Sequence, residues 1–567
     1  MNSQDEHQQC VIDQKWDSKV VVVAGPGTGK SYTAALRVAS IVSYFKRNEA
    51  YSESRVLCLT FTNAATGVTK ERLREQDVIA GVEIKTIDKW CFQLLSRAGL
   101  GATTDAGSYD DSIRDVIAGL KNGDVEDVIQ GIEHVVIDEA QDIYGVRLEL
   151  LDLILKLNLI RGWTVLGDPA QTIYEYGEEN SAGSFLSRLI SEKSFDEYLS
   201  LEIDHRSKNE RIKKIRATGL GLRMESPTEH EIDAVWRDYL DNPLISVSNL
   251  MAVASAYNES DQSVGVLVRT NREVLELSMQ LSSLGIKHKC ASSRGEFRIP
   301  SWVADLDKVK SIDEALERIP SFVDRLIFVR AIERWCHGGT VKQFSLERLS
   351  RDLLYRNVPD VFLKSDPHSL SLSTVHMAKG LEFDKVLVGL ERKKSEKELE
   401  EARVLFVAVT RSQESLLRLG VAGLTKNSHL NRTKNRWLDV TFRGKAQFAT
   451  AIEVKMSDFS FYRTSSQMEV GGEVEIRSIG NLENGLPRYA AFGVSEEHPF
   501  AELKQDFCLA VSNEWNKNLP VKLTGLRVST QSCIAVPQQF KENWSEKFLA
   551  KVPVLVGMVH PERTEIK

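Results

Sequence analysis

The stretch that decides the fold is Ala24-Gly25-Pro26-Gly27-Thr28-Gly29-Lys30-Ser31. It follows a β-branched run, Val20 to Ala24, and precedes a segment with helical spacing, Ser31 to Phe45. A glycine-rich turn between a strand and a helix has the form of a P-loop, whose backbone N–H groups bind phosphate. We therefore expect Lys30 to bind the β- and γ-phosphates of a nucleotide and Ser31 to bind Mg²⁺. The remaining phosphate contacts are predicted for Gly25, Gly27, Thr28 and Gly29.

A second motif supplies the acids that a nucleotide-hydrolysing site needs. Val135-Val136-Ile137-Asp138-Glu139-Ala140-Gln141-Asp142 ends an apolar run on carboxylates. Asp138 can hold Mg²⁺ through water, and Glu139 can polarise the attacking water, because phosphoryl transfer depends on positioning and charge. The two motifs together predict a site for ATP and Mg²⁺.

The surrounding pattern alternates strand-like and helical segments. Beyond the P-loop, strand candidates are Arg55–Thr60, Val135–Asp138, Thr164–Leu166, Val264–Val268 and Lys385–Val388, with a helix at Arg272–Leu284. Such alternation predicts an α/β fold with a parallel sheet covered by helices on both faces, followed by a second α/β unit. From about Phe448, polar and apolar residues alternate, as in Glu473–Ile476, and this predicts a mostly-β C-terminal module.

Composition gives no sign of a nucleic-acid binder, because 73 Lys and Arg face 80 Asp and Glu, a net charge of −7 over 567 residues. Charge is nevertheless segregated: residues 105–133 hold eight acids against two bases, and residues 420–445 hold six bases against Asp439. Seven dispersed cysteines without a CxxC pair argue against a disulfide framework or zinc ribbon. A polar, acidic start and the lack of a run of ~20 apolar residues predict a cytoplasmic protein without a membrane segment.

Further motifs follow in an order that resembles the superfamily 1 DNA helicases of the UvrD/Rep/PcrA type, over about residues 1–442. Asp138 to Asp142 is similar to motif II of that group. The other similar segments are Thr60-Phe61-Thr62-Asn63-Ala64-Ala65 (motif Ia), Gly167-Asp168-Pro169-Ala170-Gln171-Thr172-Ile173-Tyr174 (motif III), Leu201-Glu202-Ile203-Asp204-His205-Arg206-Ser207 (motif IV), Ser373 to Phe383 (motif V) and Val407-Ala408-Val409-Thr410-Arg411 (motif VI).

The resemblance implies an ATP-driven helicase or translocase that moves 3′ to 5′ on single-stranded DNA and binds tailed duplexes. It implies two RecA-like domains with ATP between them, so that Arg206 and Arg411 approach the γ-phosphate from the second domain. The other implied roles are adenine recognition by Gln8 or Gln9, γ-phosphate sensing by Gln171, and ribose binding by Glu382.

Implied DNA contacts combine aromatic faces, on which bases stack, with polar groups along the backbone. The positions that match are Phe61, Thr62, Asn63, Tyr174, Tyr176, Thr374 and His376. The chain departs from the family at Asp88, where a carboxylate replaces a histidine that faces DNA. It also lacks the usual arginine after Tyr176, where Gly177, Glu178 and Glu179 follow.

The implied domains carry two short insertions, and their small size suggests that a protein partner controls the enzyme. A nuclease is among the candidate partners. The partner would bind through residues 445–567 or through the insertions. The expected boundaries are a first RecA-like domain at 1–75 and 134–200, an inserted subdomain at 76–133, a second RecA-like domain at 201–298 and 371–442, a reduced insertion at 299–370, and the β-rich module at 445–567.

Three alternatives stay open. One is a DNA-stimulated ATPase or DNA-end sensor without robust unwinding, in a repair or phage-defence complex; size and motifs give the chain a resemblance to helicase subunits of Gabija-type systems. Another is a helicase–nuclease fusion, because Asp439, Glu453 and Lys455 have the outline of a metal-dependent nuclease core. The third is a binding protein with an inactive nucleotide site, against which the intact Lys30 and Asp138 speak.

Overall fold

The computed structural model describes most of the chain. The described residues are 5–48, 55–61, 66–67, 69–70, 72–73, 81–100, 109–157, 160–173, 184–224, 226–250, 262–290, 299–307, 309–335, 349, 360–363, 370–392, 397–422, 424, 428–431, 436–443, 446–461, 469–515, 519–535, 549–555 and 557–562.

The strands, in chain order, are β1 Lys19–Ala24, β2 Arg55–Thr60, β3 Val82–Thr86, β4 Ile132–Ile137, β5 Gly162–Gly167, β6 Glu197–Leu201, β7 Leu244–Ser246, β8 Val264–Val268, β9 Lys289–Cys290, β10 Leu370–Thr374, β11 Phe383–Gly389, β12 Ser412–Gly420, β13 Ser428–Asn431, β14 Arg436–Arg443, β15 Ala446–Val454, β16 Phe459–Phe461, β17 Glu473–Asn481, β18 Pro487–Gly493, β19 Ala501–Leu503, β20 Lys522–Ala535, β21 Leu549–Leu555 and β22 Gly557–Pro561.

The α-helices are α1 Glu6–Ile12, α2 Lys30–Arg47, α3 Ile87–Arg97, α4 Tyr109–Asn122, α5 Glu126–Ile129, α6 Gly145–Lys156, α7 Phe185–Glu192, α8 Glu210–Thr218, α9 Glu229–Leu240, α10 Asn271–Ser283, α11 Ile312–Arg318, α12 Arg325–Trp335, α13 Glu398–Val409 and α14 Gln505–Trp515. Short 3₁₀ turns include Ala140–Asp142, Pro169–Gln171 and Gly219–Arg223. No helix within the described ranges is both long and apolar enough to cross a bilayer.

The chain forms two compact units. The first comprises Met1–Pro243, Ala378–Asp384 and Arg392–Leu416, and the second comprises Leu244–Met377, Lys385–Glu391 and Leu417–Lys567.

The first unit is built on a six-stranded parallel sheet in the order β3-β2-β4-β5-β1-β6. Successive side chains of a strand point to opposite faces, so Val21 packs with Trp90 in one core, while Val20 and Val22 pack with Val38 in the other. Helices therefore cover both faces, which explains the nearly continuous apolar strands. The carboxyl ends of β4, β5, β1 and β6 lie along one edge, and the motifs that follow these strands meet there.

The second unit contains a sheet in the order β7-β12-β11-β8-β10-β9, in which β8 pairs in parallel with β10 and β11. Helix α10 covers it, and Leu277 packs with Val264 and Val266. This helix begins with a capping box, because Thr270 and Glu273 each bond the other's backbone N–H.

The C-terminal residues of the second unit form an antiparallel half-barrel in the order β13-β14-β15-β22-β20-β17-β18-β19-β16, with β21 on β20. Its core includes Tyr489 and Phe507. The segment around Trp302 has its own apolar cluster, which Leu549 of β21 joins. The inserted segment and the β module therefore share packing.

The predicted fold class is confirmed: two parallel sheets with helices and a C-terminal β module are present. The domain boundaries stay a prediction, and the packing divides the chain differently. Strand β3 and helices α3 to α5, all within 76–133, belong to the first sheet and its core. Residues 201–243 and 392–416 also belong to the first unit.

Candidate active site

The P-loop follows β1 and ends where α2 begins at Lys30. Gly27 and Gly29 have φ of 82° and 79°, the left-handed region that favours glycine. Thr28 Oγ1 donates to the Gly25 carbonyl at 2.9 Å, which closes the turn. Gln8 is buried and donates through Nε2 to the Thr28 carbonyl at 3.1 Å. The P-loop backbone is therefore already curved as phosphate binding requires, and Gln8 contacts it at the Thr28 carbonyl.

Lys30 lies between the two carboxylates of the second motif. Its Nζ is 2.5 Å from Glu139 Oε1 and 3.3 Å from Asp138 Oδ1. Burial opposes the charged form of Lys30, but the two carboxylates outweigh burial and raise its pKa. Burial and the charge of Glu139 raise the pKa of Asp138. One ammonium thus compensates two acids in a site that largely excludes water.

Glu139 has a strained backbone, with φ 57° and ψ 40°. A non-glycine residue in the left-handed region costs roughly 1–3 kcal/mol and is often found at functional sites. Burial opposes ionisation of Glu139, but Lys30 and Lys379 lower its pKa to about 2, so the carboxylate is charged. Gln141 donates to Glu139 Oε2 at 2.5 Å and accepts from the Asp168 N–H at 3.1 Å, which ties the second motif to the third.

Gln171, in the third motif, accepts hydrogen bonds from two positively charged side chains that come later in the chain. Its Oε1 accepts from Arg411 Nη2 at 3.0 Å, and its carbonyl accepts from Lys379 Nζ at 2.6 Å. Lys379 also pairs with Asp142 at 2.5 Å. Burial raises the pKa of Asp142 to about 6, and burial lowers the pKa of Arg411 to about 10.

Arg206 and Glu382, for which the family resemblance implies contacts with the γ-phosphate and the ribose, form an ion pair with each other. Both lie in the first unit, as does Arg411. This differs from the expectation that the arginines come from a second domain. For Arg206 the physical reason is that motif IV follows β6, which adds to the sheet beside the P-loop strand.

The two candidate adenine readers have different surroundings. Gln8 is buried against Thr28, whereas Gln9 donates to Asp13 at 2.8 Å at the surface. The geometry therefore favours Gln8.

Mg²⁺ prefers oxygen ligands. Ser31, in the first turn of α2, offers a hydroxyl, and Asp138 at the end of β4 offers a carboxylate. The left-handed glycines of the loop and the partly buried Lys30 provide a curved backbone and a positive charge suited to phosphate oxygens. The residues present therefore fit Mg²⁺-bound nucleotide.

The predicted DNA contacts are only partly described. Phe61 is half-buried after β2, and Thr374 is buried and His376 half-buried after β10. Thr62, Asn63, Tyr174 and Tyr176 lie outside the described residues. The DNA contacts stay predictions.

Asp88, where the family has a histidine, accepts from Arg147 Nε at 2.9 Å, and Arg147 also binds Asp110 at 2.9 Å. The carboxylate is thus held in a local ion-pair cluster within the first unit.

Several charged residues of this site have no role predicted from the sequence. Arg223 binds Asp168 at 2.9 Å, and Arg216 binds Asp204 at 2.6 Å. Asp142 lies in motif II and Lys379 in motif V, and their charges within these motifs could have indicated a role in the site. Arg216 and Arg223 lie outside every motif, so only the fold reveals them.

The acidic residues of the predicted nuclease core bind other groups of this chain. Asp439 accepts from Arg272 Nη2 at 2.9 Å and from Ser428 Oγ at 2.6 Å. Glu453 accepts the Trp437 N–H at 2.9 Å and lies 4.0 Å from Lys455 Nζ. Among the residues that the structure describes, no three His, Cys, Asp or Glu side chains form a metal-binding group. The nuclease hypothesis stays a prediction.

Comparison with known proteins gives two family matches. Residues 8–177 match a model described as an AAA domain, and residues 341–418 match the UvrD-like helicase C-terminal domain. A curated relative, the ATP-dependent DNA helicase SRS2 of Saccharomyces cerevisiae, is 47% identical over 51 residues, 9% of this chain and 4% of that protein. The match therefore spans a small part of that relative. The crystal structure of Pif1 helicase from Candida albicans is similar at 16% identity and a TM-score of 0.38, covering 74% of this chain and 95% of that one.

Proposed function

We propose that this chain is a UvrD-like superfamily 1 helicase and that it acts as an ATP-dependent DNA helicase or translocase. The proposal extends to movement on single-stranded DNA with 3′ to 5′ polarity, as the family resemblance implies.

The observation that carries the proposal is one connected polar network in the first unit. Lys30 of the P-loop binds Glu139, and Gln141 links Glu139 to Asp168. Asp168 accepts from Gln171 at 2.9 Å, and Gln171 accepts from Arg411. Four sequence-distant motifs therefore meet in a buried site, which supports hydrolysis of a nucleotide rather than a passive binding role.

The residues would divide the work by charge. Lys30 would neutralise β- and γ-phosphate oxygens, and Glu139, kept ionised, would accept a proton from the attacking water. Arg206 and Arg411 would leave their present partners and stabilise charge that spreads over the transferring phosphoryl oxygens. Mg²⁺, when bound through Ser31 and Asp138, supplies further charge stabilisation.

Coupling to DNA would pass through Gln171. This residue contacts both Arg411 and Lys379, and it directly precedes the segment that carries the predicted base-stacking tyrosines, Tyr174 and Tyr176. A change in the bonds of Gln171 during the nucleotide cycle would therefore reach the DNA-binding segment over a few residues. This short connection supports a motor rather than an ATPase unrelated to DNA.

The test uses purified full-length protein on duplexes with a 3′ tail, a 5′ tail or blunt ends. We expect ATP-dependent strand separation of the 3′-tailed duplex alone. Lys30→Ala should abolish it, while Lys121→Ala, an exposed lysine on α4 outside the site, should not. Unwinding from the 5′ tail would contradict the polarity. DNA-stimulated hydrolysis without unwinding of any substrate would contradict strand separation and favour a DNA sensor.

We also propose that a protein partner binds the β module. The packing of this module determines which variants can test the proposal. Leu549 joins the β module to the apolar cluster around Trp302 in the second unit, so removal of residues 446–567 would expose apolar surface. Single substitutions of exposed residues such as Val521, which is 77% exposed, are therefore the better test by co-purification. Recovery of every partner after such substitutions across the module would contradict docking there.

A further inference from the structure

We infer that Arg216 is a positioning residue that holds both proposed arginine fingers, Arg206 and Arg411, against the P-loop. This inference rests on the proposed function, because it adds a residue to the same ATP site.

The first step is the contact between Arg216 and the turn that carries Arg206. Arg216, in α8, is buried and donates through Nη1 to Asp204 Oδ1 at 2.6 Å. The same oxygen accepts the backbone N–H groups of Arg206 at 2.9 Å and Ser207 at 3.1 Å. Burial opposes ionisation of Asp204, but Arg216 and these bonds lower its pKa. The charged carboxylate thus fixes the backbone of the first finger.

The second step concerns Arg411. Nη2 of Arg216 donates to the carbonyls of Thr410 and Ser412, each at 3.1 Å, and these are the neighbours of Arg411 in the chain. Arg411 itself is held through Nε to the Val407 carbonyl at 3.0 Å. The planar guanidinium offers several donors in a fixed fork, so one side chain can hold three oxygens at once. Arg216 therefore fastens the backbone on both sides of the second finger.

The third step is the close approach to the P-loop. A Cβ at Gly27 would collide with the Asp204 carboxylate and the Arg216 guanidinium. The His205 N–H donates to the Gly27 carbonyl at 2.9 Å. The Asp204–Arg216 pair thus rests directly on the loop that would hold phosphate. Movement of Arg216 would displace both fingers relative to that loop.

The test compares Arg216→Gln and Arg216→Lys with Arg272→Gln, which removes an equally buried, ion-paired arginine of the second unit. The readouts are kcat for basal ATP hydrolysis per folded molecule and Kd for ADP, which lacks the γ-phosphate. We expect Arg216→Gln to lower kcat roughly 10- to 100-fold, since misplacement of catalytic groups by about 1 Å has that effect. The Kd for ADP should change by less than about threefold, because the P-loop contacts persist.

The conservative variant and a double mutant separate positioning from general stability. Arg216→Lys should recover only part of kcat, because an ammonium cannot reproduce the fork. In the double variant Arg216→Gln, Arg411→Ala, kcat should fall by less than the product of the two single losses, because the part of the Arg216 effect that acts through Arg411 is already lost and only the part that acts through Arg206 remains. Wild-type kcat in Arg216→Gln, fully additive losses, or an equal loss in Arg272→Gln would each overturn the inference. Absence of DNA stimulation in the wild type would instead refute the motor function, while basal kcat still tests Arg216.

Discussion

We predict that titration of Asp142 makes the stability of the first unit depend on pH. Burial raises its pKa from 3.8 to about 6, and its Oδ1 has no hydrogen-bond partner among the described residues. At 1.36 kcal/mol per pKa unit, ionisation of this carboxyl in the folded protein is disfavoured by about 3 kcal/mol. The ion pair with Lys379 therefore only partly offsets the cost of burying the charge.

The direction of the pH effect follows from the raised pKa. The folded protein holds this proton to a higher pH than the unfolded chain does, so the contribution favours folding below about pH 4 and is lost as pH rises through about 6. Between pH 5 and pH 8 the free energy of unfolding of the wild type should fall by about 1–2 kcal/mol relative to that of Asp142→Asn, whose side chain cannot titrate. Other groups titrate alike in both proteins and cancel in the difference.

The assay is denaturant-dependent hydrogen exchange of peptides from β4 and β5, which report opening of the first sheet rather than of the whole chain. Asp124→Asn, on an exposed residue, controls for loss of a surface charge. The pH dependence of the difference between the wild type and Asp142→Asn is the measured quantity. A constant difference from pH 5 to pH 8, or one of opposite sign, would refute the reasoning.

Two further predictions concern single residues of the ATP site. Gln8→Ala should raise the KM for ATP about tenfold, the effect of one lost buried hydrogen bond, while Gln9→Ala leaves it unchanged; steady-state kinetics that affect Gln9 alone would reverse the assignment. Glu139→Gln should retain binding of a fluorescent ATP analogue but lower kcat about 10²- to 10⁴-fold, the usual contribution of a general base. Single-turnover hydrolysis at the wild-type rate would show that Glu139 does not accept the proton.

Local sequence signals were sufficient for the elements that hold the nucleotide. The strand before the P-loop, the helix after it and the acids after β4 all depend on short-range patterns, and each lies where the sequence predicted it. The antiparallel module was likewise visible in the alternation at Glu473–Ile476, which lies within β17.

Contacts between distant segments were not accessible in the same way. Arg216 binds Asp204 twelve residues earlier and carbonyls about 195 residues later, and no local pattern encodes such a meeting. The addition of β6 to the first sheet likewise depends on which edge of the sheet is open, not on the composition of β6. The family resemblance implied that Arg206 comes from a second domain, whereas it lies in the first unit.

Charge balance is another case in which the sequence average was a poor guide. Arg436 belongs to the basic stretch at 420–445, yet it is buried and binds Asp458 through both terminal nitrogens. Its guanidinium also lies 5.4 Å from the ring centre of Phe507. A basic residue counted toward a nucleic-acid surface therefore stabilises the core of the β module instead.

The measurement that tests the central claim most directly is steady-state ATP hydrolysis by the full-length chain with increasing single-stranded DNA. The network from Lys30 through Gln171 to Arg411 predicts that hydrolysis rises with DNA and saturates, and that Lys30→Ala abolishes it. Equal rates of hydrolysis with and without DNA would contradict the account.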